Sequence, residues 1–162
     1  MLIEQLGLPG VMLIKLETHS DNPGSFSELL SPDLCMALGV DFFPQVNISE
    51  SAKDVFRGMH LQAEPYGQAK VLHCLSGSII DFVLDVNPSS PTQGEHISIE
   101  LKEGMGEALF ITSHYAHGLS RSRLPRKSSM GPVNPDKSRM RFPLISQLHL
   151  WIRCLWIQPH TV

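Results

Sequence analysis

The stretch from Lys70 to Leu101, "KVLHCLSGSIIDFVLDVNPSSPTQGEHISIEL", decides the fold class of this chain. It holds three short apolar runs, rich in β-branched residues, that are separated by "SGS" and by the Pro- and Gly-containing "NPSSPTQG". Such runs between turn signals are typical of β-strands. Repeated short strands with few helices predict an antiparallel β-barrel or β-sandwich.

The middle run carries two acids in an otherwise apolar strand. Asp81 and Asp85 are four positions apart, and side chains at this spacing lie on the same face of a strand. An acid on a buried strand is either held by hydrogen bonds for structural reasons or lines a cavity. The sequence leaves both interpretations open.

The flanking segments extend the all-β pattern. The run "VMLIKL" (11–16) follows a Pro-Gly break, and "ALFITSHYAH" (108–117) follows a "KEGMG" turn, so both are predicted strands. Pro32 limits the helix-like segment near it to short helical turns. With 162 residues, of which 42% are hydrophobic, the chain is long enough for one domain with its own core.

Charge is distributed unevenly along the chain. Residues 1–110 contain five Lys or Arg and fifteen Asp or Glu, whereas residues 111–162 contain eight Lys or Arg and one acid. The segment 120–143 is basic and rich in Pro and Ser, a composition typical of chain that does not order itself alone. We therefore divide the chain into a domain over 1–119 and an atypical basic tail over 120–162, whose apolar end, 144–159, is compatible with helix or strand.

Composition also bears on partners and location. The net charge of −3 gives no general argument for nucleic acid or membrane, and the basic tail lacks the interleaved aromatic residues of a nucleic-acid-binding segment. No apolar stretch is long enough for a spanning helix. The three cysteines form no CxxC motif or close pair, which favours reduced thiols and a cytoplasmic protein.

The segment 56–70, "FRGMHLQAEPYGQAK", concentrates groups that bind or ionise. His60 is compatible with a catalytic base, and also with a strand histidine hydrogen-bonded for structural reasons. Lys70 is compatible with a cation directed at developing negative charge, and also with a solubilising lysine on an edge strand. His117, further along the chain, is equally open to a structural or a functional interpretation.

A metal site is not expected in this chain. His60 is followed two positions later by Gln62, whose neutral amide is a poor ligand for the metals that imidazole favours. Glu64 and His117 alone remain to complete a set. We therefore predict neither a metal nor another cofactor.

Six short motifs stand together in one order, and they carry a resemblance to a known family. They are "FPQVNISES" (43–51), "FRGMHLQ" (56–62), "QAK" (68–70), "GSIIDFVLDV" (77–86), "SPTQG" (90–94) and "YAHGL" (115–119). With them the chain resembles the dTDP-4-dehydrorhamnose 3,5-epimerases over roughly residues 8–119. The resemblance implies a cupin-type antiparallel jelly roll, and an isomerase that inverts C3 and C5 of a nucleotide-linked 4-keto-6-deoxy sugar through an enolate.

The resemblance also implies roles for seven residues of this chain. The catalytic pair would be His60, as the base, and Lys70, near the carbonyl oxygen of the substrate. The remaining five would bind the nucleotide-sugar substrate: Arg57, His117, Gln45, Asn47 and Glu28.

Three departures from the family pattern bear on activity. Pro23 stands where a phosphate-contacting arginine is expected. The family's proton-donating tyrosine should follow "YAHGL", yet the only tyrosines are Tyr66 and Tyr115. The late segment that supplies an aspartate partner for the base is unrecognisable. Two functions therefore stay open: an epimerase weakened by loss of its acid, and a non-catalytic cupin that keeps the sugar-nucleotide site or only the fold.

Two further expectations follow from the resemblance. The family is usually homodimeric, and "VMLIKL" (11–16) would otherwise be an unprotected edge strand, so we expect a homodimer formed through the N-terminal part. The charge reversal begins where the resemblance ends. We therefore expect that residues from about 120 come from an altered reading frame or a fused tail.

Overall fold

A computed structural model describes residues 1–121 and, for their backbone, residues 151–158. The described chain consists of twelve strands and one short helix. In chain order the elements are β1 (Leu2–Gln5), β2 (Val11–Lys15), β3 (Thr18–Ser20), β4 (Ser25–Ser27), α1 (Pro32–Leu38), β5 (Gln45–Ala52), β6 (Phe56–His60), β7 (Lys70–Cys74), β8 (Ser78–Asp85), β9 (His96–Lys102), β10 (Glu107–Ile111), β11 (Tyr115–Ser120) and β12 (Trp151–Gln158).

The strands form two main sheets and a separate hairpin. The larger sheet has six strands in the order β1-β2-β10-β7-β12-β5, and the smaller has four in the order β6-β11-β8-β9. Among the described strands, β3 and β4 pair only with each other. Every pairing is antiparallel. The predicted all-β jelly-roll fold is therefore confirmed.

The main core lies between the two sheets. It joins Leu72 and Leu109 of the larger sheet to Val83, Leu101 and Leu119 of the smaller one. Side chains of a strand alternate between faces, so the other face of the larger sheet needs its own cover. Helix α1 supplies that cover in a second cluster, where its buried leucines pack near Val71 and Phe110.

Helix α1 shows how the local sequence sets its limits. The Ser31 side chain accepts a hydrogen bond from the Leu34 amide at 3.2 Å, and Pro32 occupies the first turn, where no backbone donor is lost. Gly39 ends the helix in a left-handed conformation with φ of 68°. The proline expected to limit helical structure therefore begins the helix. Over the described residues no helix is long and apolar enough to cross a membrane.

The expectation that "VMLIKL" (11–16) is an exposed edge strand is wrong. Strand β2 lies inside the larger sheet, paired with β1 on one side and with β10 on the other. The four residues of β1 fold back on it as a hairpin and satisfy its backbone groups. Within residues 1–121 and 151–158, the edges of this sheet are β1 and β5.

Part of the segment beyond residue 119 belongs to the larger sheet. Strand β12 is inserted between β7 and β5 and pairs with all eight residues of β5. The apolar end of the predicted tail thus contains a strand. Residues 122–150 and 159–162 lie outside the described residues, and the division at 119/120 and the altered reading frame stay predictions.

Gly118 is required by a close approach between strands β11 and β6. A Cβ added at Gly118 would lie 2.7 Å from the Arg57 carbonyl oxygen and 2.9 Å from the Met59 amide nitrogen. We expect Gly118→Ala to lower the free energy of unfolding by about 1–3 kcal/mol, because backbone must move to admit the methyl group. Urea denaturation measures the change.

Gly58→Ala is the matched control for this substitution. Gly58 lies on the facing strand, and a Cβ there would meet nothing within 4 Å. A Gly118→Ala variant as stable as Gly58→Ala would contradict the packing argument.

Candidate active site

Lys70 lies on the inner wall that the larger sheet contributes to the space between the sheets. Strand β7 alternates, with Lys70, Leu72 and Cys74 on the face toward the main core. The Lys70 side chain is only 3% exposed, whereas most lysines extend into solvent. This position agrees with the interpretation of Lys70 as an inward lysine, and not with that of a solubilising lysine on an edge strand.

The strand pairing shows that this wall extends to β5. Strand β12 pairs Leu72 of β7 with Trp156, and Trp156 in turn with Asn47. Residues paired in this way occupy the same face of a sheet, so Asn47 and Gln45 share a face with Lys70. The Gln45 side-chain amide donates to the Asn47 side-chain oxygen at 3.0 Å.

The smaller sheet forms the opposite wall, with two histidines side by side. His60 of β6 pairs with His117 of β11, and their ring centroids are 4.7 Å apart. His60 is exposed, whereas His117 is buried. The same wall contains Asp81 of β8, whose Oδ2 lies 3.1 Å from His117 Nδ1. The structure thus brings His60, His117 and Asp81 together.

The hydrogen bonds of the two rings indicate which nitrogen is available for chemistry. His60 Nδ1 lies 3.0 Å from the Gly58 carbonyl oxygen, which can only accept, so Nδ1 donates and Nε2 keeps its lone pair in the neutral ring. His117 Nδ1 faces the Asp81 carboxylate in the same way. His60 is therefore the exposed ring with a basic nitrogen directed away from the backbone.

The charged groups of the two walls interact through Asp81. Burial raises the pKa of the Asp81 carboxyl, and this is opposed by the hydrogen bond and charge of His117 and by the charges of Lys70 and His60. Burial lowers the pKa of Lys70, and the Asp81 charge opposes that change. The charges of Lys70 on one wall and His60 on the other thus both favour the ionised form of Asp81.

We call the space between the wall of Lys70 and the wall of His60, His117 and Asp81 the cleft. Arg57 ties these two walls together. Its Nε donates to Ser51 Oγ at 2.7 Å, and its Nη2 donates to the Glu50 carbonyl oxygen at 2.6 Å. Arg57 belongs to β6 and Ser51 to β5, so the guanidinium spans from one sheet to the other. This fixes a positive charge beside the strand that carries Gln45 and Asn47.

Glu28 is the one predicted site residue that lies on neither wall. It directly follows β4 of the separate hairpin, and its side chain is exposed. Its assignment to the substrate stays a prediction.

Neither tyrosine stands ready as a proton donor. Tyr115 is buried and its hydroxyl donates to the Pro9 carbonyl oxygen at 2.7 Å, while burial and then the Asp85 charge raise its pKa. Tyr66 is 76% exposed in the loop after β6. Over residues 1–121, therefore, the structure offers no phenol in the position that the family pattern requires.

The two acids of β8 have separate roles. Asp85 accepts hydrogen bonds from Ser90 Oγ at 2.5 Å and Thr92 Oγ1 at 2.7 Å, and thereby holds the turn that follows its strand. Asp81 alone contacts the site. The sequence indicated an acid near the cavity without deciding between them; the hydroxyls in "SPT" (90–92) are a signal that could have separated Asp85 from Asp81, and it was not used.

The sequence predicted no metal site. Within residues 1–121, no three His, Cys, Asp or Glu side chains are arranged to hold a metal ion. The absence of a cofactor stays a prediction.

Comparison with known proteins places the chain in one family. The family model described as dTDP-4-dehydrorhamnose 3,5-epimerase matches residues 5–123. The epimerase of that name from Shigella flexneri is 33% identical over 114 residues, which cover 68% of this chain and 62% of the relative. That from Sinorhizobium fredii is 34% identical over 120 residues, covering 73% of this chain and 62% of the relative.

Solved structures agree with this match. The crystal structure of dTDP-4-dehydrorhamnose 3,5-epimerase from Sulfolobus tokodaii superposes with a TM-score of 0.77 at 27% identity, covering 99% of this chain and 75% of that one. The match to the two curated relatives spans only 62% of their length. On the family model, the relatives and the shared fold, this chain belongs to the dTDP-4-dehydrorhamnose 3,5-epimerase family.

Proposed function

We propose that the cleft between the two sheets epimerises a nucleotide-linked 4-keto-6-deoxy sugar by removing and returning a proton next to the ketone. One observation carries the proposal: His60 lies beside His117, and His117 contacts the Asp81 carboxyl on which the charge of the buried Lys70 acts. A base and a fixed cation are the two groups that enolate formation needs.

The chemistry assigns one task to each wall. His60 Nε2 takes the proton from the carbon beside the C4 ketone, because imidazole ordinarily titrates near neutral pH. The electron pair of the broken C–H bond moves to the ketone oxygen, where the Lys70 ammonium stabilises the enolate. Return of a proton to the opposite face of that carbon inverts it.

The substrate class follows from the rest of the cleft and from the relatives. The Arg57 guanidinium is fixed beside β5 and suits a diphosphate, while the Gln45 and Asn47 amides suit a base or sugar. The curated relatives are named for a dTDP-linked sugar, and we propose dTDP-4-keto-6-deoxyglucose for this chain. His117, and Glu28 from the hairpin, are proposed as further substrate contacts.

Assembly and location belong to the same proposal. We propose a homodimer, now through the exposed sheet edges rather than through β2. Strand β5, one of these edges, exposes Val46 and Ile48, which is unusual for a protein that acts alone. We also propose a cytoplasmic protein, on its cysteine pattern.

A second function is favoured by the position of the tyrosines. Tyr115 is engaged with the backbone at Pro9, and Tyr66 is exposed, so no described phenol is placed to return the proton. If no other group returns the proton, the chain binds the nucleotide sugar without inverting it. This is the non-catalytic cupin.

Product analysis separates the two functions. The full chain is incubated with dTDP-4-keto-6-deoxyglucose, and proton NMR follows both ligand binding and the sugar coupling constants. We expect slow appearance of the inverted sugar. Binding without inversion at high protein concentration would favour the non-catalytic cupin, and neither binding nor inversion would contradict both functions.

A further inference from the structure

We propose that Asp81 is a positioning residue that keeps Lys70 charged and holds the His117 ring in one orientation. The catalytic role in this inference rests on the proposed function, whereas the effect of Asp81 on Lys70 and His117 does not. It starts from burial: the Asp81 side chain is fully inaccessible, and Asp is almost never fully buried without a partner.

Asp81 is surrounded by positive or basic groups from three strands. His117 of β11 donates to Oδ2 at 3.1 Å, and the charges of Lys70 of β7 and His60 of β6 act on the same carboxylate. The second oxygen, Oδ1, is buried and has no hydrogen-bond partner among the described residues. A carboxylate buried in this way is costly, and burial raises the pKa of this carboxyl, so it is the basic neighbours that favour its charged form.

The His117 ring has a matching incomplete environment. Its Nε2 is buried and likewise has no hydrogen-bond partner in the described part of the chain, although its Nδ1 is engaged by Asp81. In this arrangement Asp81 determines which nitrogen of His117 carries the proton. The ring lies beside that of His60, with centroids 4.7 Å apart and planes tilted by 49°, so its orientation also sets the surface against which the base lies.

The link to Lys70 has the larger consequence for catalysis. Lys70 is buried, and burial favours the neutral amine, which cannot stabilise an enolate. Within the described residues, Asp81 lies on the core-facing side of β8 and is itself fully buried, and its charge favours the ammonium of Lys70. The acid therefore lets the sheet bury a lysine and still present it as a cation.

The test is Asp81→Asn, which removes the charge and keeps the shape. Loss of the negative neighbour should lower the pKa of Lys70 further, by about 1 pH unit or more. The Lys70 side chain is followed by NMR of lysine labelled with ¹³C at Cε, with its signal assigned by its absence in Lys70→Arg. The alkaline limb of the deuterium-exchange rate on substrate should move to lower pH by the same amount.

Asp85→Asn is the matched control, because Asp85 lies on the same strand and face but bonds to Ser90 and Thr92. Asp85→Asn should leave the pKa of Lys70 unchanged from that in the original chain. An Asp81→Asn variant that loses stability but titrates Lys70 at the original pH would overturn the proposal.

A reciprocal measurement avoids dependence on that variant's folding. In Lys70→Met, loss of the ammonium should raise the pKa of the Asp81 carboxyl, which ¹³C NMR of labelled aspartate detects. An unchanged Asp81 titration would overturn the proposal. Neither titration needs substrate, so failure of the proposed function and failure of this inference are distinguishable.

Discussion

His60→Ala is expected to reduce proton abstraction from the substrate by about 10²–10⁴-fold, the contribution typical of a positioned general base. The reason is geometric. His60 is the exposed ring of the pair, and its Nδ1 contact with Gly58 leaves Nε2 as the nitrogen that keeps its lone pair in the neutral ring. The rate is measured as loss of the substrate C3 and C5 proton signals in deuterated water.

His73→Ala is the control for this substitution. His73 Nδ1 also contacts a backbone carbonyl, that of Glu107 at 2.7 Å, but β7 alternation puts this ring on the face away from Lys70. The control should keep the original exchange rate. Equal losses in the two variants would mean that histidine removal acts through stability.

Lys70→Met is expected to slow the same step by about 10²–10³-fold, since removing one preorganised group that stabilises an oxyanion has an effect of this size. Met keeps the length of the side chain and removes its charge. Ligand affinity should change less than the rate, because negative charge develops on the ketone oxygen only as the proton leaves. Exchange rate and dissociation constant, both measured by NMR titration, separate the two effects.

Lys102→Met serves as the matched control, because Lys102 is exposed and paired with Glu100 at 3.0 Å, away from the cleft. Its exchange rate should be unchanged. A Lys70→Met variant with the original rate would show that another group stabilises the enolate.

The original chain should also lose activity at a lower pH than it would if Lys70 had the usual pKa of a lysine. Burial lowers the pKa of Lys70 below its usual 10.5, so the ammonium is lost as pH rises through that lowered value. Exchange on substrate should therefore decline below pH 10.5. An exchange rate that stays unchanged up to pH 10.5 would contradict a catalytic role for the Lys70 charge.

Much of the fold could be predicted because the strands are short and their boundaries carry Gly and Pro. The placement of Asp81 and Asp85 on one face followed from strand periodicity alone, and the structure confirms it. The position of "VMLIKL" inside the sheet, and not at its edge, could not be predicted, because β1 contributes only four residues and its pairing depends on a tight hairpin.

The candidate site was less accessible to sequence reasoning. Motif order identified His60 and Lys70, but not that both act on the Asp81 carboxyl. Strand β7 belongs to the larger sheet, whereas β6 and β8 belong to the smaller sheet with β11 between them, so no sequence pattern shows that these strands come together. The Arg57–Ser51 contact joins residues of two sheets, and no periodicity encodes it. The place of β12 inside the larger sheet depends on partners more than 70 positions away.

The most direct test of the central claim is deuterium incorporation at C3 and C5 of dTDP-4-keto-6-deoxyglucose by the full chain. Enolate formation needs only the base and the cation, whereas inversion also needs an acid on the opposite face. We therefore predict that deuterium enters the recovered substrate faster than the inverted sugar forms, and that His60→Ala stops both. Substrate that binds in the cleft and keeps all of its C3 and C5 hydrogen would contradict the claim that this cleft removes a proton.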